Sequence, residues 1–477
     1  MHNGQPLNYF YPPATAIREK RLAVKDDGRY VYQAYGHKLT TRFFMKTNTL
    51  LLFFALACFP LAVKAQDKSA SLEEILSKPE FWKLSQDAFM DRYGRLGFRW
   101  TSDTKESARV SGGGEKLSVK DATVGETIIT FADGVPKQVQ VSIFNRGDDA
   151  YLREIEFNGE LQKWNRILSS ISSAKPEKKA RDNKSAVKTK GVVWNNDNFA
   201  YLLEYSSKKE RGAAFRGEFI RLRMAPIVKK SFMEEQLSGP VKRMKKGDLP
   251  NNVVREDGDV YIKGIPMVDQ GQKGYCVVAA TARMFGYYKL QVDQHEIAQI
   301  ANSTASGGTS TSGMIDALKS IAGRFKMRIK THDAMDYQDM IDLSEDYNRI
   351  AKRANAKRVP AGGNANNWYN FDYFDPEILR TTRLKSSSGI KKFEAEINRS
   401  IDAGIPLLWT VTVGIYKEPV RISQSRGGHM RMIIGYNTAK KEVIFSDTWG
   451  AGHEKKHWGI EEAYCSTKGL YSIQPTM

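Results

Sequence analysis

Apolar and polar positions alternate between helical and strand-like spacing along most of the chain. Helical spacing runs over 72–76 and over 81–93, the second opened by Pro79. Strand-like runs follow at 97–101, 127–131 and 135–144, the last two joined by the turn Ala132-Asp133-Gly134. One long amphipathic helix is predicted over 148–171, then strands at 192–194, 199–205 and 213–224. Beyond Val253 the helical pattern returns. Val277, Ala280 and Met284 recur at helical spacing directly after Cys276. Further helices are expected at 294–300, 314–322, 337–354 and 390–403, the last stopped by Gly404. Strands are expected at 325–330, at 407–413 after Pro406, and at 470–473. In the segment from Gly428, the residues Met430, Met432 and Ile434 share one strand face, while His429 and Arg431 share the other. The polar turn 437–441 returns the chain along 442–446. The class read from this succession is α+β.

Polar gaps set the domain boundaries. Residues 174–190 carry seven basic and two acidic side chains and no large apolar face, which reads as a basic loop open to proteolysis. Residues 226–252 read as a charged connector. The chain therefore divides into a smaller N-terminal α+β domain at 66–225, in which Trp82, Phe89, Phe98, Trp100 and Trp164 are expected in the core, and a second domain at 253–477. Residues 361–373, rich in Gly, Asn and aromatics, read as an irregular insertion. Ahead of both lies a secretory pattern: Lys46, the apolar run 49–63, and Val63-Lys64-Ala65 as a cleavage site. Translation is expected to start at Met45, with 45–65 a signal peptide, 1–44 a mis-assigned upstream extension, and the mature chain secreted or periplasmic.

The formal charge of +19 leaves open contact with an anionic surface. No zinc-finger spacing, RNA-binding aromatic motif or phosphate-binding Gly loop accompanies it, so no nucleic-acid partner is expected. Of three cysteines, Cys58 falls in the signal segment; the remaining Cys276 and Cys465 are too few for a disulfide framework, and no Cys/His metal spacing or cofactor motif is present.

The chemistry gathers in two stretches. In 268–283, Gln270 stands six positions before Cys276, and Cys276 sits where a loop enters a helix. Unpaired backbone N–H groups and the positive end of the helix dipole favour a thiolate there. In 428–450, the hairpin brings Asp447 close to His429. Alone, each has a plain structural reading: a buried Cys, a satisfied His, a turn Asp. Together they form a nucleophile, a base and a carboxylate to orient the base. His295, His332, His453 and His457 lack the following apolar strand that ends in Asp-x-Trp-Gly.

Over the last 220 residues or so this pattern resembles the papain-like cysteine peptidases. The resemblance implies Cys276 as nucleophile, His429 as general base, Gln270 as side-chain donor to the oxyanion, and Trp449 as the shield of the His–carboxylate contact. It also implies that Gly307 and Gly308 hydrogen-bond the substrate backbone in extended form, a plain turn being the other reading of that pair. Asp447, in Asp-Thr-Trp-Gly, stands where the family usually has Asn; a carboxylate holds an imidazolium more strongly, which predicts a broad neutral pH optimum. Cys276 and His429 lie 153 positions apart, just beyond the interval of about 130–150 usual for the plant and lysosomal members. The sequence Gly274-Tyr275-Cys276-Val277 is nearer the bacterial bacteriocin-leader-processing type, although Thr448 replaces the Pro usual there. The expected fold is a two-lobed domain, one lobe helical and one an antiparallel sheet, acting as an endopeptidase on protein or peptide substrates. A transglutaminase or amidase on the same fold, or an inactive secreted binding protein, remains an alternative. The N-terminal domain is open to three roles: inhibitory pro-region, targeting module or fixed partner.

Overall fold

The computed structural model describes residues 70–476, apart from 112–116, 149–150, 183–186, 210–213, 228–242, 272–273, 291, 293, 304–309, 361–370, 372 and 420–425. The upstream extension, the signal peptide and Gly307 and Gly308 lie outside the described residues, as does nearly all of the 361–373 insertion.

Two antiparallel sheets organise the rest. The first runs in the order 99–100, 107–110, 127–132, 135–145, 216–226, 199–208, 189–195, 177–182. Its alternating strands bury one face against the helix Glu154–Ser172, whose Phe157, Trp164 and Leu168 enter the core. Trp82, Phe89, Phe98 and Trp164 are buried in that core as expected, and Trp100 packs against it half-buried. The long helix begins at Glu154 rather than at 148, where Glu156 Oε2 reaches back to accept the Arg153 backbone N–H at 2.8 Å and sets the first turn.

One reading of the sequence is corrected here. Within the basic segment 174–190, Glu177–Asp182 forms the outermost strand and pairs with Thr189–Asn195. Its lysines are what an edge strand needs to resist further pairing, so charge marks a sheet edge there and not a linker.

The second sheet runs 253–256, 259–262, 427–437, 407–413, 467–475, 327–334, with 442–446 and 456–459 branching from the strand Gly427–Asn437. Leu407–Val413 is buried at every position, as a strand covered on both faces must be. The helices Cys276–Tyr287 and Ser387–Asp402 pack on Gly427–Asn437, and Thr311–Ala322 packs on Met327–Ala334. The end of the supposed connector belongs to this core: Leu249 is fully buried, and its backbone presses so closely on Gly404 that a side chain there would collide. The whole is a mixed helix-and-sheet chain, consistent with the α+β reading.

Candidate active site

The helix Cys276–Tyr287 starts at the cysteine itself. Tyr275 precedes it in a non-helical conformation and makes no side-chain cap, so the first-turn N–H groups face the sulfur. Ten of the eleven residues after Cys276 are buried, so the helix is apolar on all sides and firmly seated. Cys276 itself is half-buried, unpaired, and opens onto a cleft of about 570 Å³.

His429 reaches the same cleft from Gly427–Asn437, whose pairing sets Val411 opposite it. Its Nε2 and Asp447 Oδ1 are 2.5 Å apart. That leaves Nδ1 for the thiol, and ring and thiol interact. The contact is not yet a well-formed hydrogen bond, since Nδ1 lacks a partner of full hydrogen-bonding geometry; such contacts commonly tighten only with substrate. Trp449 lies over the imidazole with ring centroids 4.4 Å apart and planes 14° from parallel, covering one face of the ring.

Asp447 follows directly on the strand Glu442–Ser446 and is fully buried. Beside His429 it meets two more cations: Arg431 Nε at 3.0 Å and Lys456 Nζ at 3.0 Å, both on Oδ2. Arg431 in turn is gripped through Nη2 by both oxygens of Glu418, at 3.0 and 2.9 Å. The sequence places Arg431 on the His429 face but gives it no role, and neither Lys456 nor Glu418 is anticipated. The only available signal is the i+2 spacing from His429 to Arg431.

These neighbours set the protonation states. Burial would raise the Cys276 thiol, but the His429 ring and the backbone N–H groups of Met430 and Val277 bring it below its ordinary value. Burial would lower His429, but Asp447 and the thiol push it up to about 9. Burial would likewise raise Asp447, and Arg431, His429 and Lys456 together hold it far below the usual carboxylate range. A thiolate facing an imidazolium is the favoured pair. Cys465 contrasts with this: it is buried, and burial pushes its thiol up to about 11.

Gln270 is buried at the loop before the helix. Its backbone N donates to Thr448 O at 2.9 Å, and its Oε1 accepts from the Thr448 hydroxyl. With Oε1 on that hydroxyl, the donor Nε2 is directed away from Thr448. Arg283, two turns along from Cys276, ties the helix to the same segment: Nη1 donates to Asp447 O at 2.6 Å, Nη2 to Ser446 Oγ at 2.5 Å, and Nε to Pro266 O at 2.9 Å. Cys276, Gln270, His429, Asp447 and Trp449 are thus brought together.

Of the other described histidines, His453 borders the site, its carbonyl accepting the Asp447 N–H at 2.8 Å and its ring edge-on to Trp449, and the rest are engaged elsewhere or buried apart. His453 meets Lys456, His457 meets Glu442 and Asp259, His332 sits between Glu396 and Ser472, and His295 is buried on its own helix.

Residues 262–469 match the model of the Peptidase_C39 like family. This segment is a papain-like cysteine peptidase domain. Among solved structures the chain is similar to xylellain, a cysteine protease from Xylella fastidiosa, at 12% identity over 49% of this chain and 91% of that one, with a TM-score of 0.25. A search of curated proteins finds no match. The cleft of the peptidase domain is walled by apolar side chains such as Ile315, Met335, Val411 and Tyr471, with Asp316 and Lys468 among its charged members. None of the described residues lining it comes from ahead of Cys276.

Proposed function

We propose that the peptidase domain is a secreted endopeptidase that cleaves peptide bonds through Cys276, His429 and Asp447, with Gln270 as oxyanion donor, in a cleft between a helical lobe and a sheet lobe. The observation that carries this reading is the division of labour on one imidazole: Nε2 held by Asp447, Nδ1 left toward the thiol, and Trp449 over the ring. His429 Nδ1 takes the Cys276 proton. The thiolate adds to the substrate carbonyl carbon, and the oxyanion is held by the Gln270 amide and the Cys276 backbone N–H. As the C–N bond breaks, His429 returns the proton to the leaving amine. Water, deprotonated by His429, then attacks the thioester and releases the acid and the free thiol. Asp447 holds the ring orientation throughout.

Peptide hydrolysis by the full chain and by Cys276→Ala tests the assignment; a loss of ~10⁴-fold or more is expected. An epoxide inhibitor should label Cys276 alone, because the thiol of Cys465 is buried and protonated. Hydrolysis that survives Cys276→Ala rules this chemistry out. An amine acceptor that outcompetes water would instead make the enzyme a transferase. Secretion rests on the apolar run 49–63 and the Val63-Lys64-Ala65 site; it predicts a mature chain beginning at Gln66, readable by mass spectrometry.

A further inference from the structure

Against the Gln270 loop stands an arginine from the first sheet. Arg109 lies on the strand Ser107–Val110 and is buried. Its Nη1 donates to Asp269 O at 2.9 Å and lies 3.3 Å from Asp269 Oδ1, while its Nε is ion-paired with the buried Glu126. Asp269 passes the constraint on: its Oδ1 accepts from Gly271 N at 2.8 Å, which closes a tight turn around Gln270. Gly271 has φ +65°, and a β-carbon there would come within 2.6 Å of Arg109 Nη2. Glycine meets both demands without strain. Gln270 is therefore clamped between Arg109 acting through Asp269 on one side and Thr448 on the other.

The contact does not stand alone. Tyr275, next to the nucleophile, is fully buried with its hydroxyl 3.4 Å from Asn145 Nδ2, and a β-carbon on Gly147 would overlap that hydroxyl. Arg221 from the first sheet pairs at 3.0 Å with Glu296 on the helix Gln294–Ile300.

We propose that Arg109 is a positioning residue for the oxyanion donor, and that the N-terminal domain is a permanent part of the working peptidase, not a pro-region shed on activation. The inference rests on the reading of Gln270 as that donor. The domain grips the segment 269–275 at both ends, through Arg109 on Asp269 and Asn145 on Tyr275, and its residues are not among those described as lining the cleft that Cys276 and His429 share.

The test uses the full chain and two probes. Iodoacetamide alkylates a thiolate without forming an oxyanion. A peptide aldehyde adds to the thiolate carbon-to-sulfur and places its oxygen in the oxyanion site. In Arg109→Gln, kcat and aldehyde affinity should both fall ~10- to 100-fold, with KM and the alkylation rate within about twofold of the parent. Gln270→Ala should lose ~10²–10³ in kcat. The double variant should be no worse than Gln270→Ala alone, since both changes remove one interaction. If Arg109→Gln does not fold, Asp269→Asn decides in its place: it keeps an oxygen for Gly271 N–H but removes the carboxylate charge that Arg109 meets on this loop, Glu126 remaining, and should show the same pattern more weakly. Full kcat and aldehyde affinity in the folded variant, or an equal loss of alkylation, overturns the role of Arg109. An unaffected Gln270→Ala overturns the oxyanion reading itself, and the Arg109 proposal falls with it.

Discussion

Each of the two large sheets buries an arginine between two carboxylates, and the pair makes an instructive contrast. In the first sheet, Arg221 meets Glu204 and Glu296, each at 3.0 Å, and lies over the Phe219 ring. Burial opposes its charge, and the two glutamates more than restore it. In the second, Arg431 meets Glu418 at 2.9 Å and Asp447 at 3.0 Å and lies over the Phe445 ring. Both arginines lie over a ring between two carboxylates, and each set has one further cation, Arg223 on Glu204 and Lys456 on Asp447. The difference is that Asp447 also holds His429, which faces a cleft and a thiol. Arg221 fastens one part of the chain to another. Arg431 does the same fastening but also sets how strongly a carboxylate attracts a titrating ring. A similar arrangement of charges becomes functional only when one member is shared with a group that changes protonation during the reaction.

Replacing each arginine with Met should separate the two roles. Either change leaves two buried carboxylates short of a cation, at a cost to stability of about 3–5 kcal/mol, measurable by denaturant unfolding. Arg221→Met should leave kcat of the folded protein within about threefold of the parent. Arg431→Met should lower kcat/KM ~10²-fold, because Asp447 and His429 lose their fixed placement. Equal loss of kcat in the two variants would break the comparison.

The pH profile sharpens it. Activity needs Cys276 deprotonated and His429 protonated. The acid limb of kcat/KM should therefore fall below the ordinary thiol range and the alkaline limb near 9, as the imidazolium loses its proton. In Arg431→Met a positive charge beside the ring is gone, so the alkaline limb should move upward; in Arg221→Met it should not move. Stability follows the same signs. His429 is raised above its unfolded value of 6.5, so its contribution is complete below 6.5 and is lost as pH rises through about 9. Asp447 is depressed, so its contribution is present at neutral pH and is lost on acidification below the usual carboxylate range. An alkaline limb that stays put in Arg431→Met would show that Arg431 is not coupled to the ring.

The sequence makes these two arginines indistinguishable, and the reason is physical. Periodicity reports which face a residue occupies, so the facing of His429 and Arg431, the strand Leu407–Val413 and the helix after Cys276 were all legible. The hairpin fixes where Asp447 stands, because a short turn leaves its two strands only one way to pair. Long-range ion pairing has no such period. Arg109 lies 160 positions from Asp269, and Arg221 lies 75 from Glu296; nothing along the chain couples them. The strand Glu177–Asp182 was lost for the opposite reason: its lysines give the same polar signal whether they line a sheet edge or a loop.

The smallest effect belongs to the residue that separates this site from an ordinary buried turn. Thr448 donates its hydroxyl to Gln270 Oε1 and its carbonyl accepts the Gln270 backbone N–H, so the side chain holds the amide while the backbone holds the loop. Thr448→Val keeps the shape and the backbone contact and removes the hydroxyl alone. A hydrogen bond of this kind is worth about 1 kcal/mol net, so kcat and peptide-aldehyde affinity should each fall ~3- to 10-fold, with KM and iodoacetamide alkylation unchanged. Thr448→Ser restores the hydroxyl and should recover most of the loss. If the valine variant matches the parent, the amide is oriented by the Arg109 and Asp269 side of the loop alone, and the control of Gln270 passes wholly to the first sheet.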